Sequence, residues 1–339
     1  MIQSYYNYKP FEKTYNFFVV EQEEIIIKDP NINSFFNVEF EKRKVHYKCE
    51  YNYSNIDPEK PGAIICIKDN IKLLQFTFSK IKEHKANDHI NILVVDDRPQ
   101  NQLIEKFCLE QNINYVKVDN NSHFNFAMLN NIGANIFFNN GCQDIILWNS
   151  DLWPDNDYCI QNIINIHKNQ KNAISGARLI YPTQSWDGRT DNPENITNFF
   201  KHIKEYRNTI QFGGSCFTFI NGGYYPMHYA RFTNNNYASL NRHVDFITGA
   251  FTLINCRIFF ELGGLNPSLS SQFQDIDFSL RCRENKYNVF YIGEEYLLHD
   301  ESVSLKDKDK DKSYISDNVL YHKLWIETKK INKLLMGEI

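Results

Sequence analysis

Short apolar runs alternate with helical patterns through the middle of the chain. Continuous apolar runs predict buried strands at 63–67, 90–95, 115–118, 145–148 and 173–179. Apolar side chains at Ile71, Leu74, Phe78 and Ile81 have the spacing of an amphipathic helix. Further helices are predicted over 100–111, 125–138 and 158–167. This alternation indicates an α/β fold with a mostly parallel central sheet and flanking helices.

The two ends of the chain differ from this middle part. Residues 1–55 contain short strand-like runs at 17–20, 24–27 and 45–49, which predict a small β-rich N-terminal extension. Pro58 and Pro61 mark a boundary, and the main domain is predicted over 63–305. Residues 306–339 hold an alternating charge run at 306–312, which predicts a solvated loop, and then an amphipathic C-terminal helix over 315–336.

The second half of the main domain has a weaker pattern. After the strand at 173–179 comes a long polar and aromatic stretch up to residue 243, of the kind that is often functional. A strand-like segment is then predicted over 245–254, followed by a short helix that stops at Gly263. A further helix starts near Gln274, and a strand is predicted over 287–292.

Composition and charge exclude several classes of function. The net charge is −4 and no basic stripe occurs, so nucleic acid is not an expected partner. The eight cysteines contain no Cys-x-x-Cys pair, so the usual zinc and redox spacings are absent. The longest apolar stretch, 246–260, is interrupted by polar residues, so we expect membrane contact to be peripheral at most. The N-terminus lacks a secretory pattern, and we expect a cytoplasmic protein.

Acidic and metal-competent side chains recur at the ends of predicted elements. They are Asp96 and Asp97, Asn149 and Asp151, Asp275 and Asp277, and His299 with Asp300. A single carboxylate at such a place is more often a helix cap or a turn former. The ends of parallel strands, however, converge on one crevice, so these groups can meet despite their separation in sequence. The sharpest case is 145–154, where an apolar run stops at Asn149 and Asp151 before Pro154.

The order of these motifs resembles the inverting, family-2-type glycosyltransferases with the GT-A fold. The resemblance covers about 63–305, and its segments are 92–97, 126–133, 149–154, 175–182, 248–254, 259–266, 274–281 and 299–302. The segment that begins at Asn149 looks like an Asn-x-Asp form of that family's metal motif. The segment that begins at Gln274 looks like the helix start that carries the catalytic base.

The resemblance implies a role for each matching position. It implies a nucleotide-diphosphate sugar as donor, with UDP-linked donors expected, a divalent cation (Mn²⁺ or Mg²⁺) as cofactor and a glycan hydroxyl as acceptor. Asp275 corresponds to the base, and Asp151 with His299 would hold the metal. The expected donor contacts are Asp96, Asn131, Asn149 and Ser150. The expected acceptor side comprises Gly249 and Ala250, to which we add His228 from the aromatic stretch.

The sequence departs from the family pattern at several places. Gln274 stands where a Glu usually precedes the base. The site therefore has one charge fewer to influence the pKa of the base. Asn125 stands where a Gly is common before the donor-side helix. Residues 1–55 have no counterpart in the family. These differences bear on the substrate and on the tuning of the site more than on the class of reaction.

Two alternative functions come from other classes. The run 92–101 resembles the opening of a response-regulator receiver domain, and 144–154 resembles its phosphorylation strand. The phosphoacceptor of that family lies four residues before the proline, however, and Ser150 occupies that position here. A non-catalytic module that binds sugar or nucleotide would keep the fold and lose the base, which Asp275 argues against.

Overall fold

The computed structural model describes residues 18–20, 47–52, 56–120, 124–186, 206–220, 223–301 and 316–337. Its strands are β1 (Phe18–Val20), β2 (Tyr47–Asn52), β3 (Gly62–Ile67), β4 (Asn91–Asp97), β5 (Asn114–Asn120), β6 (Asp144–Asn149), β7 (Leu152–Pro154), β8 (Ala173–Ile180), β9 (Ile210–Phe212), β10 (Ser215–Ile220), β11 (Gly223–His228), β12 (Arg242–His243), β13 (Phe251–Asn255) and β14 (Asn288–His299). Its α-helices are α1 (Ile71–Glu83), α2 (Leu103–Glu110), α3 (Phe126–Asn139), α4 (Cys159–Lys168), α5 (Cys256–Glu261), α6 (Gln274–Glu284) and α7 (Lys330–Met336). A π-helical segment, His322–Glu327, precedes α7.

One large sheet forms the centre of the molecule. Its strand order is β1-β2-β5-β4-β3-β6-β13-β8-β14-β12, with β7 paired to β14 and β9 to β8. Strands β5, β4, β3 and β6 run parallel, as do β8 and β14. Strand β13 lies antiparallel between β6 and β8. The predicted α/β class, with helices flanking a central sheet, is confirmed.

Packing explains why the central strands consist of apolar runs. Strands β3 and β4 are buried along their whole length, because elements cover both faces of the sheet. Helix α3 packs against β3 through Gly133, where an added Cβ would lie 2.6 Å from the Ile64 side chain. Asn125 caps this helix, since its Oδ1 accepts a hydrogen bond from the Met128 amide at 2.9 Å. A capping role therefore accounts for an Asn at this position.

The segment predicted as a strand over 245–254 is a strand only over Phe251–Asn255, so the first half of that prediction is wrong. Residues 246–250 are buried but irregular. Side chains take over their backbone hydrogen bonds: Phe246 N donates to Ser215 Oγ at 2.8 Å, and Ile247 N donates to Ser279 Oγ at 3.1 Å. The apolar pattern of this segment reflects its burial. A buried segment needs partners for its backbone hydrogen bonds, but these need not be a neighbouring strand.

Two other predictions need correction. The C-terminal helix is not continuous, because it passes through the π-helical segment and breaks at Lys329, whose φ is 55°. The stretch up to residue 243 contains an antiparallel hairpin, β10–β11, that the sequence pattern did not reveal.

The predicted strand at 24–27 and the charged run at 306–312 lie outside the described residues. Within the described ranges, no helix has the length and apolar character needed to cross a membrane.

The N-terminal strands extend the central sheet. Strand β2 pairs antiparallel with β5, and β1 pairs antiparallel with β2. The division of the chain at residues 55 and 305 stays a prediction.

The turn after α5 depends on two consecutive glycines. Gly263 has φ 80° and Gly264 has φ 74°, a region that costs other residues about 1–2 kcal/mol. Asn131 on α3 holds the next residue, because its Nδ2 donates to Leu265 O at 2.8 Å and its Oδ1 accepts from Leu265 N at 2.9 Å. A Cβ on Gly264 would lie 2.8 Å from that Oδ1, so the turn can approach α3 only without one.

We expect Gly264→Ala to destabilise the protein by roughly 2–4 kcal/mol, because it adds a clash with Asn131 to the backbone cost. Gly337→Ala is a matched control: Gly337 has φ 72°, but nothing lies within 4 Å of its added Cβ. It should lose only the backbone cost of about 1 kcal/mol. Urea unfolding measures both losses, and equal losses would contradict the packing argument.

Candidate functional site

Asp151, in the turn between β6 and β7, contacts His299, the last residue of β14. Strand β7 follows β6 after a two-residue turn and pairs with β14, in a register that sets His299 opposite Leu152. As a result Asp151 Oδ1 lies 3.2 Å from His299 Nε2, and both side chains are buried. Asn149 Nδ2 is 3.4 Å from the same ring nitrogen.

The backbone holds the turn that carries Asp151. Thr77 Oγ1 on α1 donates to Ser150 O at 2.6 Å, and Asp300 N donates to Asp151 O at 3.0 Å. Ser150 itself is buried, and only its carbonyl has a described hydrogen bond. The turn that carries Asp151 is therefore held by two separate parts of the fold, helix α1 and the residue after β14.

The electrostatics of this pair favour a charged imidazole. Burial alone lowers the pKa of His299, but the adjacent Asp151 carboxylate, together with Glu301 and Asp300, outweighs it, and the net shift of this pKa is upward. Imidazole Nδ1 is buried and has no hydrogen-bond partner among the described residues.

Asp151 Oδ1 and His299 Nε2 could also serve as ligands of a divalent cation. Adjacent ligands of an octahedral ion with bonds near 2.1 Å are separated by about 3 Å, close to the observed spacing. Within the described residues, no group of three or more His, Cys, Asp and Glu side chains could hold a metal ion. A cation here would therefore take its remaining ligands from Asn149, water or substrate.

Residues 249 and 250 connect this pair to Asp275. Asn149 N donates to Ala250 O at 2.9 Å, and Gly249 N donates to Asp275 Oδ2 at 2.7 Å. An added Cβ on Gly249 would lie 3.3 Å from Asp275 Cβ, so this approach leaves little room for a side chain. The structure thus places the metal-competent group and the helix start of α6 on the two sides of one short segment.

Asp275 lies half-buried in the first turn of α6. Its Oδ1 accepts from Ile276 N at 2.8 Å, and its other oxygen accepts from Gly249. Burial raises the pKa of this carboxyl, and the two backbone donors act in the opposite direction. A carboxylate whose pKa is raised in this way is better suited to accept a proton near neutral pH.

Asp96 lies at the same edge of the sheet. It is paired with Ile67 of β3, while Asn149 is paired with Cys66 on the other side of that strand. Asp96 Oδ2 accepts from Tyr115 Oη at 3.1 Å, and Oδ1 is buried with no partner among the described residues. Burial raises the pKa of Asp96 to about 7.

The other predicted positions fall in two places. Asn131 lies on α3, where both atoms of its amide are engaged by Leu265, so its described contacts are structural. His228 ends β11 and packs edge-on against Phe212, with ring centroids 5.0 Å apart. Burial and then Arg231 lower the pKa of His228 to about 4, so its ring is neutral at neutral pH.

A polar cluster beside His299 was not predicted. Glu301 Oε2 accepts from Tyr181 Oη and from Arg231 Nη2, both at 2.6 Å. Arg207 donates to Asp300 Oδ1 at 3.1 Å. Tyr181 and Glu301 fall within resemblance segments and could have been singled out there. The two arginines lie in the stretch without a periodic pattern, which offered no signal.

Comparison with solved structures supports the fold. The crystal structure of GalNAc-T7 with UDP, GalNAc and Mn²⁺ matches with a TM-score of 0.50 and 12% sequence identity. The match covers 71% of this chain and 43% of that one, so the chain spans less than half of this neighbour's length. No family model and no curated protein matches the sequence. The chain has a GT-A-like fold.

We expect Asp96→Asn to change the pH dependence of stability. The folded pKa of about 7 exceeds the unfolded value of about 3.9, so this group's contribution is full below about pH 4 and is lost as pH rises through 7. As the pH is raised from 4 to 8, the free energy of unfolding of the variant should therefore increase relative to that of wild type, by roughly 2–4 kcal/mol. Urea unfolding at both pH values measures the gain. Asp119→Asn, at an exposed carboxylate on β5, is the control, and an equal gain there would contradict the prediction.

Proposed function

We propose that the protein is a metal-dependent inverting glycosyltransferase, similar to family 2, that transfers a sugar from a UDP-linked donor to a glycan hydroxyl. The observation that carries the proposal is the short segment at Gly249 and Ala250. It hydrogen-bonds Asn149 on one side and Asp275 on the other. A donor held by a cation and an acceptor beside a base would then meet across this segment.

The donor side is proposed at Asp151, His299 and Asn149. The likeness to a glycosyltransferase that was crystallised with UDP and Mn²⁺ supports this choice. A divalent cation bound there would neutralise charge on the leaving diphosphate. Asp96 lies across β3 from Asn149, about two strand spacings away, which suits a contact to the nucleoside part of the donor. Ser150 and Asn131 stay predicted donor contacts.

The acceptor side is proposed at Asp275, with Gly249, Ala250 and His228 near it. Asp275 takes the proton of the acceptor hydroxyl, whose oxygen then forms a bond to the anomeric carbon. The bond from that carbon to the diphosphate breaks, and its electrons stay on the leaving group. Attack from the face opposite the diphosphate inverts the anomeric configuration. Hydrogen bonds from Gly249 and Ile276 fix the carboxylate while it accepts the proton.

The two alternatives are less well supported. A receiver domain has an all-parallel sheet, whereas β13 here lies antiparallel in the centre. Ser150 also stands where a phosphoacceptor carboxylate would be needed. A non-catalytic binding module would share the fold. It would have no need of a base at position 275, whereas the proposed enzyme requires one.

We expect Asp151→Ala to weaken UDP binding in the presence of Mn²⁺ at least tenfold, because it removes a charged metal ligand. Isothermal titration of UDP with and without Mn²⁺ measures this loss. Asp155→Ala is the matched control, since this exposed carboxylate contacts Tyr296 of β14 without joining the site. UDP affinity that does not depend on Mn²⁺ would refute the proposed metal role.

We expect Asp275→Asn to lower the rate of UDP release from a UDP-sugar about 10²–10⁴-fold, because the general base is lost. UDP affinity should stay within about threefold, since the donor side is intact. The donor is the most active of UDP-GalNAc, UDP-GlcNAc, UDP-glucose and UDP-galactose with wild type. Asp245→Asn, at a carboxylate that pairs with Arg283 farther along α6, is the control. A fully active Asp275→Asn variant would remove the base assignment.

A further inference from the structure

The loop that precedes Asp275 is held by a carboxylate from the C-terminal part of the chain. Helix α6 has no side-chain cap at its N-cap residue, Phe273. Instead Asp317, whose side chain is fully buried, accepts through Oδ2 from Ser271 N at 2.8 Å and from Gln272 N at 3.0 Å. A buried carboxylate with two amide donors holds both amides in place.

The residue that starts α6 is held by an aromatic ring from the same part of the chain. Phe273 has φ 65°, a costly conformation for a bulky side chain, which persists where surrounding contacts enforce it. Its ring stacks on Tyr321, with centroids 4.7 Å apart and 15° between the planes. Phe273 O then accepts from Asp277 N at 2.8 Å, which closes the first turn of the helix around Asp275.

A third contact lies on the other side of Asp275. Trp325 Nε1 donates to Asp277 Oδ1 at 2.9 Å, and Asp277 Oδ2 accepts from Arg281. Both partners are almost fully buried. The indole N–H therefore fixes the rotation of the first turn about the helix axis, in addition to its position.

We infer that Asp317, Tyr321 and Trp325 are positioning residues that set the place of the Asp275 carboxylate opposite Gly249. Two of them hold the chain before Asp275, and one holds it two residues after. The inference rests on the proposed role of Asp275 as the base. A shift of about 1 Å in such a group can cost about 100-fold in rate, so loss of one contact should act on turnover.

The test compares Trp325→Phe and Asp317→Asn with Lys330→Ala. The first variant keeps a buried ring and removes the N–H, and the second keeps the shape and removes the charge. Lys330 pairs with Glu284 at the far end of α6, at 3.2 Å, so its variant breaks a contact between the same two parts of the chain without touching the first turn. Tyr321→Leu removes the ring that stacks on Phe273 and should change both readouts in the same direction as the first two variants.

We expect Trp325→Phe and Asp317→Asn to lower kcat for UDP release about tenfold or more, with UDP affinity in Mn²⁺ and the donor KM unchanged. Amide hydrogen exchange over 271–277 should become faster in both variants and stay unchanged in Lys330→Ala. Exchange does not depend on turnover, so it also reads out a variant that is weakly active.

Unchanged kcat with unchanged exchange in both variants would overturn the inference. An equal loss of kcat and of UDP affinity would also overturn it, because that pattern indicates general damage to the fold. Failure of the proposed function has a different signature, since wild type itself would then release no UDP from any of the four donors. Failure of the base assignment would show as an Asp275→Asn variant that releases UDP as fast as wild type.

Discussion

The buried guanidinium of Arg281 is the constraint on which the candidate site depends. Its side chain is 2% exposed, and an unpaired charge at such a depth would be strongly destabilising. Nε donates to Asp277 Oδ2 at 2.9 Å, and the two Nη atoms donate to Leu262 O and Gly264 O at 2.6 and 2.8 Å. These bonds join the first turn of α6 to the glycine turn after α5.

The partners of Arg281 extend the constraint to the rest of the site. The glycine turn is bound to α3 through Asn131, and α3 packs on the central strand β3. On the other side, Asp277 accepts from Trp325, so the C-terminal segment joins the same network. The first turn of α6 is therefore fixed from two directions, and Asp275 lies in that turn. Asp277, two residues from the proposed base, therefore has a structural role, because it accepts hydrogen bonds from both Arg281 and Trp325.

The mixed sheet determines how the two halves of the site approach each other. Strand β13 lies antiparallel between β6 and β8, and residues 249–250 before it therefore pass beside the carboxyl end of β6. Strand β14 is long enough to pair with β8 and then with β7, which places His299 against Asp151.

The sequence by itself determined the elements whose signals are local. The buried strands β3, β4 and β6, helices α1, α3 and α4, and the helix start at Asp275 follow from periodicity and from apolar runs, since these reflect burial of each segment alone. The polar residues that end β4 and β6 could also be identified from the sequence, because each interrupts a continuous apolar run. Tertiary structure alone decided that 246–250 is irregular, that Arg231 meets Glu301 and that Asp317 binds the amides of Ser271 and Gln272. These contacts join groups 31 to 70 residues apart, and no local pattern encodes which distant partner satisfies a given buried polar group.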